Sequence, residues 1–216
     1  MRTSHRVWLF ALLGLSLLLV GPPRARAGVG PGSCVTGVDV CKNNTGDIGK
    51  KSCNGDEACK DNSGRIGNKG ACTGAGACED NSGRVLNTSC LGLLACEDNT
   101  ATVGTHSCFG EVACGGNTGK IGNNACIGHE ACGGNGGVVG TSSCKGEGTC
   151  LNNTATVGTH SCNGERACEF NSGKIGNNSC NGDLACCGNT DHIGPGQCNG
   201  PPVGGVGVCE DVGKCI

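Results

Sequence analysis

The stretch Ile175-Gly-Asn-Asn-Ser-Cys180-Asn-Gly-Asp-Leu-Ala-Cys186-Cys187-Gly-Asn-Thr-Asp-His192 shows the unit from which most of the chain is built. Each unit contains two cysteines six residues apart, and successive pairs begin 18 residues later, with one interval of 19. A fixed period of this length indicates a repeat protein in which each unit packs on the next. The regular pairs are Cys53/Cys59, Cys72/Cys78, Cys90/Cys96, Cys108/Cys114, Cys126/Cys132, Cys144/Cys150, Cys162/Cys168 and Cys180/Cys186.

The composition indicates that disulfides replace a conventional core. The 216 residues include 22 Cys and 43 Gly, but no Tyr and only 2% aromatic residues. A domain of this length normally buries a large apolar core, and these residues cannot supply one. The cysteine content is typical of disulfide scaffolds in oxidising compartments, and it argues against an ordinary enzyme core.

The first 27 residues, 1–27, predict a secretory signal peptide. A basic start precedes an apolar stretch over 7–20, and Ala25-Arg26-Ala27 supplies small residues at a cleavage site. Cleavage would leave 189 residues with 12 basic and 18 acidic side chains, a net charge of −6, which argues against nucleic acid as a partner. Because this stretch is shorter than a membrane span, we expect no stable membrane insertion. The expected location is secreted, at the cell surface or extracellular, with the periplasm as an alternative.

Three columns of the repeat predict an all-β fold: a single β-solenoid of nine to ten 18-residue coils over residues 33–199. One β-branched residue per unit forms an inward stack, and a small residue precedes the second cysteine. One Asn per unit lies at a turn, where its amide can bond to the units on either side. The Gly-rich unit has no 3.6-residue period, which excludes a helical repeat. We expect a flexible lead-in at 28–32, a divergent C-terminal cap at 200–216, and either handedness.

Two families resemble this pattern. The hexads that begin at Ile175 (Ile-Gly-Asn-Asn-Ser) and at Asn163 (Asn-Gly-Glu-Arg-Ala) resemble the aliphatic-Gly-x-x-small hexapeptide of left-handed β-helices, over most of residues 48–193. The two cysteines per unit resemble those of the disulfide-stapled β-solenoids of insect antifreeze proteins, whose coil is shorter. Both resemblances imply a β-solenoid. The first also implies an acyltransferase with a histidine at a subunit groove, and the second implies a flat ice-binding face of threonines.

The cysteines are predicted to be structural disulfides. Two cysteines six residues apart can bridge a corner within one repeat, and bonding between adjacent repeats also suits the Cα separation of a disulfide. A zinc site is disfavoured, because the spacing is uniform and lacks interleaved histidines, and no cofactor is expected. Cys34 and Cys41, seven residues apart, form a slightly longer copy of the regular pairs. With this pair and the eight regular pairs assigned, four cysteines remain, and for them we expect Cys187–Cys198 and Cys209–Cys215.

Few residues suit catalysis or metal binding. His106 and His160 occupy one column three repeats apart, about 14 Å at the spacing of β-strands, so no histidine pair can act together and we expect no enzyme activity. Glu147, Glu165 and Asp183 each follow the first cysteine of their repeat by three residues. Like charges this close repel each other unless a cation lies between them, so these acids are weak candidates for a metal site on a solvated face.

The sequence therefore predicts a secreted, non-enzymatic, disulfide-stabilised module with a structural or adhesive role. Its partner is an unidentified surface, glycan or protein, and its oligomeric state stays open. The first alternative is ice or crystal-surface binding, because Thr156 and Thr159 lie in columns with other threonines, although Lys, Arg, Asn and Val interrupt those columns. The second alternative is a divalent-cation-binding solenoid. One basic column is interpreted as a solubility feature that also opposes stacking of rods: Arg65, Arg84, Lys120 and Lys174.

Overall fold

The computed structural model describes residues 28–200. Within this range there is no helix, and the strands are β1 (Arg65–Ile66), β2 (Arg84–Val85) and β3 (Thr102–Val103). They form one parallel sheet in the order β1-β2-β3. The protein is thus an all-β repeat protein with very short strands. The predicted signal peptide, and the predicted cap beyond residue 200, lie outside the described residues.

Parallel pairing continues beyond the named strands in two columns. The aliphatic column pairs each β-branched residue with the one 18 or 19 positions later, from Val29 through to Ile193. The second column joins the residues that follow the first cysteines, from Asn54 to Asn163. Ile121 shows the pattern, since its N–H donates to the Thr102 carbonyl at 2.9 Å. Successive repeats therefore lie side by side in parallel register.

Residues 28–32, expected to be a flexible lead-in, instead form the first rung of the aliphatic column. Val29 pairs in parallel with Ile48, and the Gly30 N–H donates to the Ile48 carbonyl at 2.8 Å. In return, the Ile48 N–H donates to the Gly28 carbonyl at 2.8 Å. The physical reason is visible in the sequence: Val29-Gly30 repeats the aliphatic-Gly pair of every later unit except the one with Val85-Leu86. Residues 28–32 therefore take part in the parallel pairing of the repeats.

The buried interior consists of columns and not of an aromatic core. The aliphatic residues from Ile48 to Ile175 are at most 3% exposed, and the small residues before the second cysteines are equally buried. Both predicted inward stacks are therefore confirmed. A further column of buried Ser or Ala precedes the first cysteines. There the Ser107 hydroxyl donates to the Gly122 carbonyl at 2.7 Å and accepts the Ala125 N–H at 3.2 Å.

A continuous ladder of asparagine side chains runs through the interior. Each Nδ2 donates to the Oδ1 of the asparagine one repeat earlier at 2.6–3.0 Å. It also donates to the carbonyl two residues further on, at 2.7–3.1 Å. Buried amides need such partners, so the predicted bonding along the stack is confirmed. The ladder consists of Asn44, Asn62, Asn81, Asn99, Asn117, Asn135, Asn153, Asn171 and Asn189.

One glycine column sets how closely the repeats approach. Gly128, two residues after a first cysteine, has φ +142°, which side chains rarely adopt. A Cβ there would lie 2.6 Å from the Gly146 carbonyl carbon of the next repeat and would overlap its oxygen. Every repeat from residue 53 onward has glycine at this position, because both the backbone angle and the space require it.

Candidate functional site

Nine disulfides lie within single repeats, with Cα–Cα distances of 5.5–5.9 Å. The prediction of bonding within repeats is confirmed, and the alternative of bonding between repeats does not hold for these pairs. The bonded pairs are Cys34–Cys41, Cys53–Cys59, Cys72–Cys78, Cys90–Cys96, Cys108–Cys114, Cys126–Cys132, Cys144–Cys150, Cys162–Cys168 and Cys180–Cys186.

Five of the second cysteines are core residues as well as disulfide partners. They are bonded as predicted, and each is 0% exposed. The physical reason is that the bond across the corner turns both sulfurs into the narrow interior, where they occupy the space of a hydrophobic core. These five residues are therefore core residues that no ligand can reach: Cys59, Cys114, Cys132, Cys150 and Cys168.

The disulfides hold an unusual backbone. Most cysteines of the nine pairs have left-handed backbone angles, with φ between 54° and 80°. Such angles cost non-glycine residues about 1–2 kcal/mol each. A covalent bond within each repeat, together with the hydrogen bonds between repeats, offsets this cost. The cysteines thereby maintain the fold and are not reactive groups.

The last four cysteines are only partly described. Cys187 and Cys198 are both disulfide-bonded, but a bond between them is not among the nine within-repeat bonds. Cys198 continues the inner column, with its sulfur within 4.8 Å of the Cys180 and Cys186 sulfurs, whereas the Cys187 sulfur lies 3.8 Å from Glu169 Oε2. Cys209 and Cys215 lie outside the described residues. The pairing predicted for these four cysteines stays a prediction.

The three acids proposed as metal ligands do not form a cluster. Among the described residues, the only groups of three ligand atoms within 4.8 Å of one another consist of cysteine sulfurs, and these are disulfide-bonded. Glu147, Glu165 and Asp183 are exposed. Asp183 Oδ1 accepts the Glu165 N–H at 2.9 Å, so this carboxylate links one repeat to the next. The structure does not bring the three carboxylates together.

The predicted histidine and threonine columns lie on the outside. His106 and His160 are exposed, three repeats apart. Thr156 is exposed and Thr159 is half-buried, on either side of the aliphatic Val157-Gly158 pair. Neither column forms an uninterrupted surface, since other residue types occupy it in neighbouring repeats.

A groove of about 550 Å³ lies along the first repeats, on the outside of the aliphatic column. Backbone of Gly49 and Gly67 forms part of its lining, and the exposed Arg65 and Arg84 stand on one side. A smaller hollow of about 410 Å³ adjoins it, and the two share Asn68 and Asn87. We call the combined surface the basic groove, and its cations are Lys50, Lys51, Arg65, Lys69 and Arg84.

Hydrogen bonds orient the two asparagines of the basic groove. Asn68 Oδ1 accepts the Lys50 N–H and Asn87 Oδ1 accepts the Asn68 N–H, both at 2.8 Å. Within residues 28–200 neither Nδ2 donates to another group, so both amide groups remain hydrogen-bond donors for a ligand. The sequence interpretation placed Arg65 and Arg84 in one column but missed Lys50, Lys51 and Lys69. A signal was present in the sequence, because these lysines follow the aliphatic residue of their repeats by two or three positions and the arginines precede it by one.

An acidic face lies elsewhere on the same repeats and consists of Asp61, Glu79, Asp80, Glu97 and Asp98. The pKa of the Asp80 carboxyl is raised above its ordinary value by desolvation and by repulsion from Asp61 and Asp98. The pKa of Glu97 is also raised, by desolvation and by the charges of Asp98 and Glu79. Among residues 28–200, only one cation bridges part of this face: Lys60 Nζ lies 2.8 Å from Glu79 and 3.1 Å from Glu57, and these bonds raise its own pKa.

These features define a disulfide-rich, all-β repeat protein, and the nine bonds indicate an oxidising, extracellular environment. The chain matches the model of a domain of unknown function, DUF7640, over residues 32–127 and 117–216. It belongs to this family. No curated protein and no solved structure matches the chain. A search of residues 28–200 found no helix long and apolar enough to span a membrane.

Proposed function

We propose that the repeats form a secreted, disulfide-stapled β-solenoid that acts as a non-enzymatic structural or adhesive module. One observation carries this proposal: two columns of residues pair in parallel with residues 18 or 19 positions later, and each repeat closes with its own disulfide. A chain that returns to the same position every repeat builds a rod. The ten rungs from Val29 to Ile193 give a length of about 43 Å at the spacing of β-strands.

The physical properties of such a rod suit a role outside the cell. Its stability rests on local disulfides and on buried hydrogen-bond ladders, and it needs no large apolar core. The outer columns carry different side chains in each repeat, so a regular frame presents an irregular surface for binding. The exposed histidines stand apart from each other, which supports binding and not catalysis as the role of this surface.

The test combines shape and adhesion, measured on the native, unreduced protein. Small-angle X-ray scattering should give an elongated particle, and the protein should be retained on at least one insoluble polymer among chitin, cellulose and silica. The matched control is the reduced and alkylated protein, which should lose both properties. A compact globular particle would overturn the solenoid. Retention on none of the polymers would overturn the adhesive role, as would substrate turnover that is abolished by replacing a single histidine.

A further inference from the structure

We propose that the basic groove binds a linear anionic polysaccharide, one that carries sulfate or carboxylate groups along its chain. This inference rests on the surface-binding role proposed above and assigns it a site and a ligand class. The site is local: it occupies the first repeats, while the later repeats have the same backbone and isolated cations.

The cations of the basic groove are available to a ligand. None of Lys50, Lys51, Arg65, Lys69 and Arg84 forms an ion pair within residues 28–200. Elsewhere in residues 28–200, Lys42, Lys60 and Arg166 each pair with a carboxylate at 2.7–3.1 Å. Lys120, Lys145 and Lys174 form no ion pair but lie in separate repeats. The groove therefore concentrates positive charge that the protein itself leaves uncompensated.

The two arginines are held side by side by the sheet. Arg65 and Arg84 are direct partners in the parallel pairing of β1 and β2, so their backbones lie about 4.8 Å apart. Like charges directly opposite each other destabilise a sheet unless an anion lies between them. Asp47 occupies the position of this column one repeat before Arg65; its Oδ1 accepts the Gly28 N–H at 3.0 Å, and it forms no ion pair with Arg65. An anionic chain that runs along the stack would neutralise both arginines.

The rest of the groove suits a sugar chain. Asn68 and Asn87 offer Nδ2 donors, and Thr105 adds a hydroxyl that can donate to or accept from sugar oxygens. The glycine backbone of the lining lets a polymer approach closely. Polar donors beside fixed cations are the groups that bind sulfate, carboxylate and hydroxyl oxygens.

The observations favour a polysaccharide over a single-stranded nucleic acid. Single-stranded nucleic acids are held by aromatic side chains that stack on the bases, and the lining of the groove has none. The acidic face on the same repeats repels a polyanion that wraps around the rod. Contact is thus restricted to one narrow surface, which a single extended sugar chain can follow.

The experiment measures the binding of a heparin decasaccharide by isothermal titration calorimetry, at two salt concentrations, with the full native protein. We expect binding that weakens as salt rises, because charges form the contact. The double variant Arg65→Gln/Arg84→Gln should bind at least tenfold more weakly. The matched control, Lys120→Gln/Lys174→Gln, removes the same charge from the same column and should bind within about twofold of wild type. Thr102 and Thr156 already occupy this column, so neither variant disturbs the fold.

Three results would overturn the inference: no heparin binding, equal losses in both double variants, or tighter binding of a single-stranded oligonucleotide of matched charge. Neutral dextran should not bind. Failure of this inference is distinguishable from failure of the proposed function. If an elongated particle is retained on an uncharged polymer but does not bind heparin, the adhesive role stands and only the polysaccharide site is refuted. A compact particle refutes the solenoid, whether or not it binds heparin.

Discussion

The interior and the exterior of this molecule differ in how much they change along the chain. Inside, each repeat between residues 48 and 189 supplies the same disulfide, asparagine and aliphatic residue, all buried. Outside, the column beside the aliphatic residue changes in almost every repeat, from Arg84 to Thr102, Lys120 and Val138. The inner columns therefore fix the register of the repeats, while the outer columns are free to carry local binding surfaces such as the basic groove.

The largest expected effect on stability comes from adding a side chain where two repeats approach most closely. Gly128→Ala should lower the free energy of unfolding by about 3–5 kcal/mol, because it combines a disallowed backbone angle with an overlap. The control is Gly196→Ala, where φ is +72° and no atom lies within 4 Å of the added Cβ. It should cost about 1 kcal/mol, the ordinary cost of a left-handed alanine. Chemical denaturation measures both, and equal losses would show that the repeats do not approach as closely as described.

Two consecutive asparagines, Asn152 and Asn153, allow an exposed and a buried position of the same residue type to be compared. Asn153 is buried, donates to Asn135 at 2.9 Å and accepts from Asn171 at 2.8 Å. Asn153→Ala should cost about 2–4 kcal/mol, because it leaves buried groups without partners. Asn152 is exposed, and glycine fills its column at Gly134, so Asn152→Gly should leave thermal stability nearly unchanged. Unchanged stability of the Asn153→Ala variant would contradict the asparagine ladder.

Removing one central disulfide should have an intermediate effect. The double variant Cys108→Ser/Cys114→Ser opens a loop of seven residues, which is worth about 2 kcal/mol in the chain-entropy model. Both cysteines are fully buried, so the new hydroxyls add to the loss. Thermal unfolding of the unreduced variant measures the change. Unaltered stability would show that the hydrogen bonds between repeats alone maintain the left-handed backbone.

The smallest effect concerns the acidic face. Because the pKa of Asp80 is raised in the folded protein, the folded state binds its proton more tightly than the unfolded chain does. Stability should therefore fall as pH rises from the ordinary carboxyl pKa through the raised one, and stay lower above it. Asp80→Asn should remove part of this slope and stabilise the protein near neutral pH by about a few tenths of a kcal/mol, the size of a surface like-charge pair. Asp191→Asn, an exposed acid outside this face, serves as the control in the pH series.

The inner columns could be predicted from the sequence because their chemistry is restrictive. A β-branched residue, an asparagine and two cysteines in constant register leave few arrangements, and the structure has the predicted burial, amide bonds and within-repeat disulfides. The pairing of Val29 with Ile48 was not predicted, because Val29-Gly30 precedes the first cysteine pair. The basic groove was missed because Lys50, Lys51 and Lys69 occupy different columns from Arg65, although they lie within three positions of the aliphatic residue of their repeats.

The parallel stacking of repeats is tested most directly by contacts between methyl groups in the aliphatic column. In an isotope-labelled sample of the native protein, nuclear Overhauser effects should connect Ile121 with both Val103 and Val139, each 18 residues away. The same series should extend along the column to Ile193. If Ile121 showed nuclear Overhauser effects only to residues of its own repeat, the stacked fold would be contradicted, and so would the binding groove that depends on it.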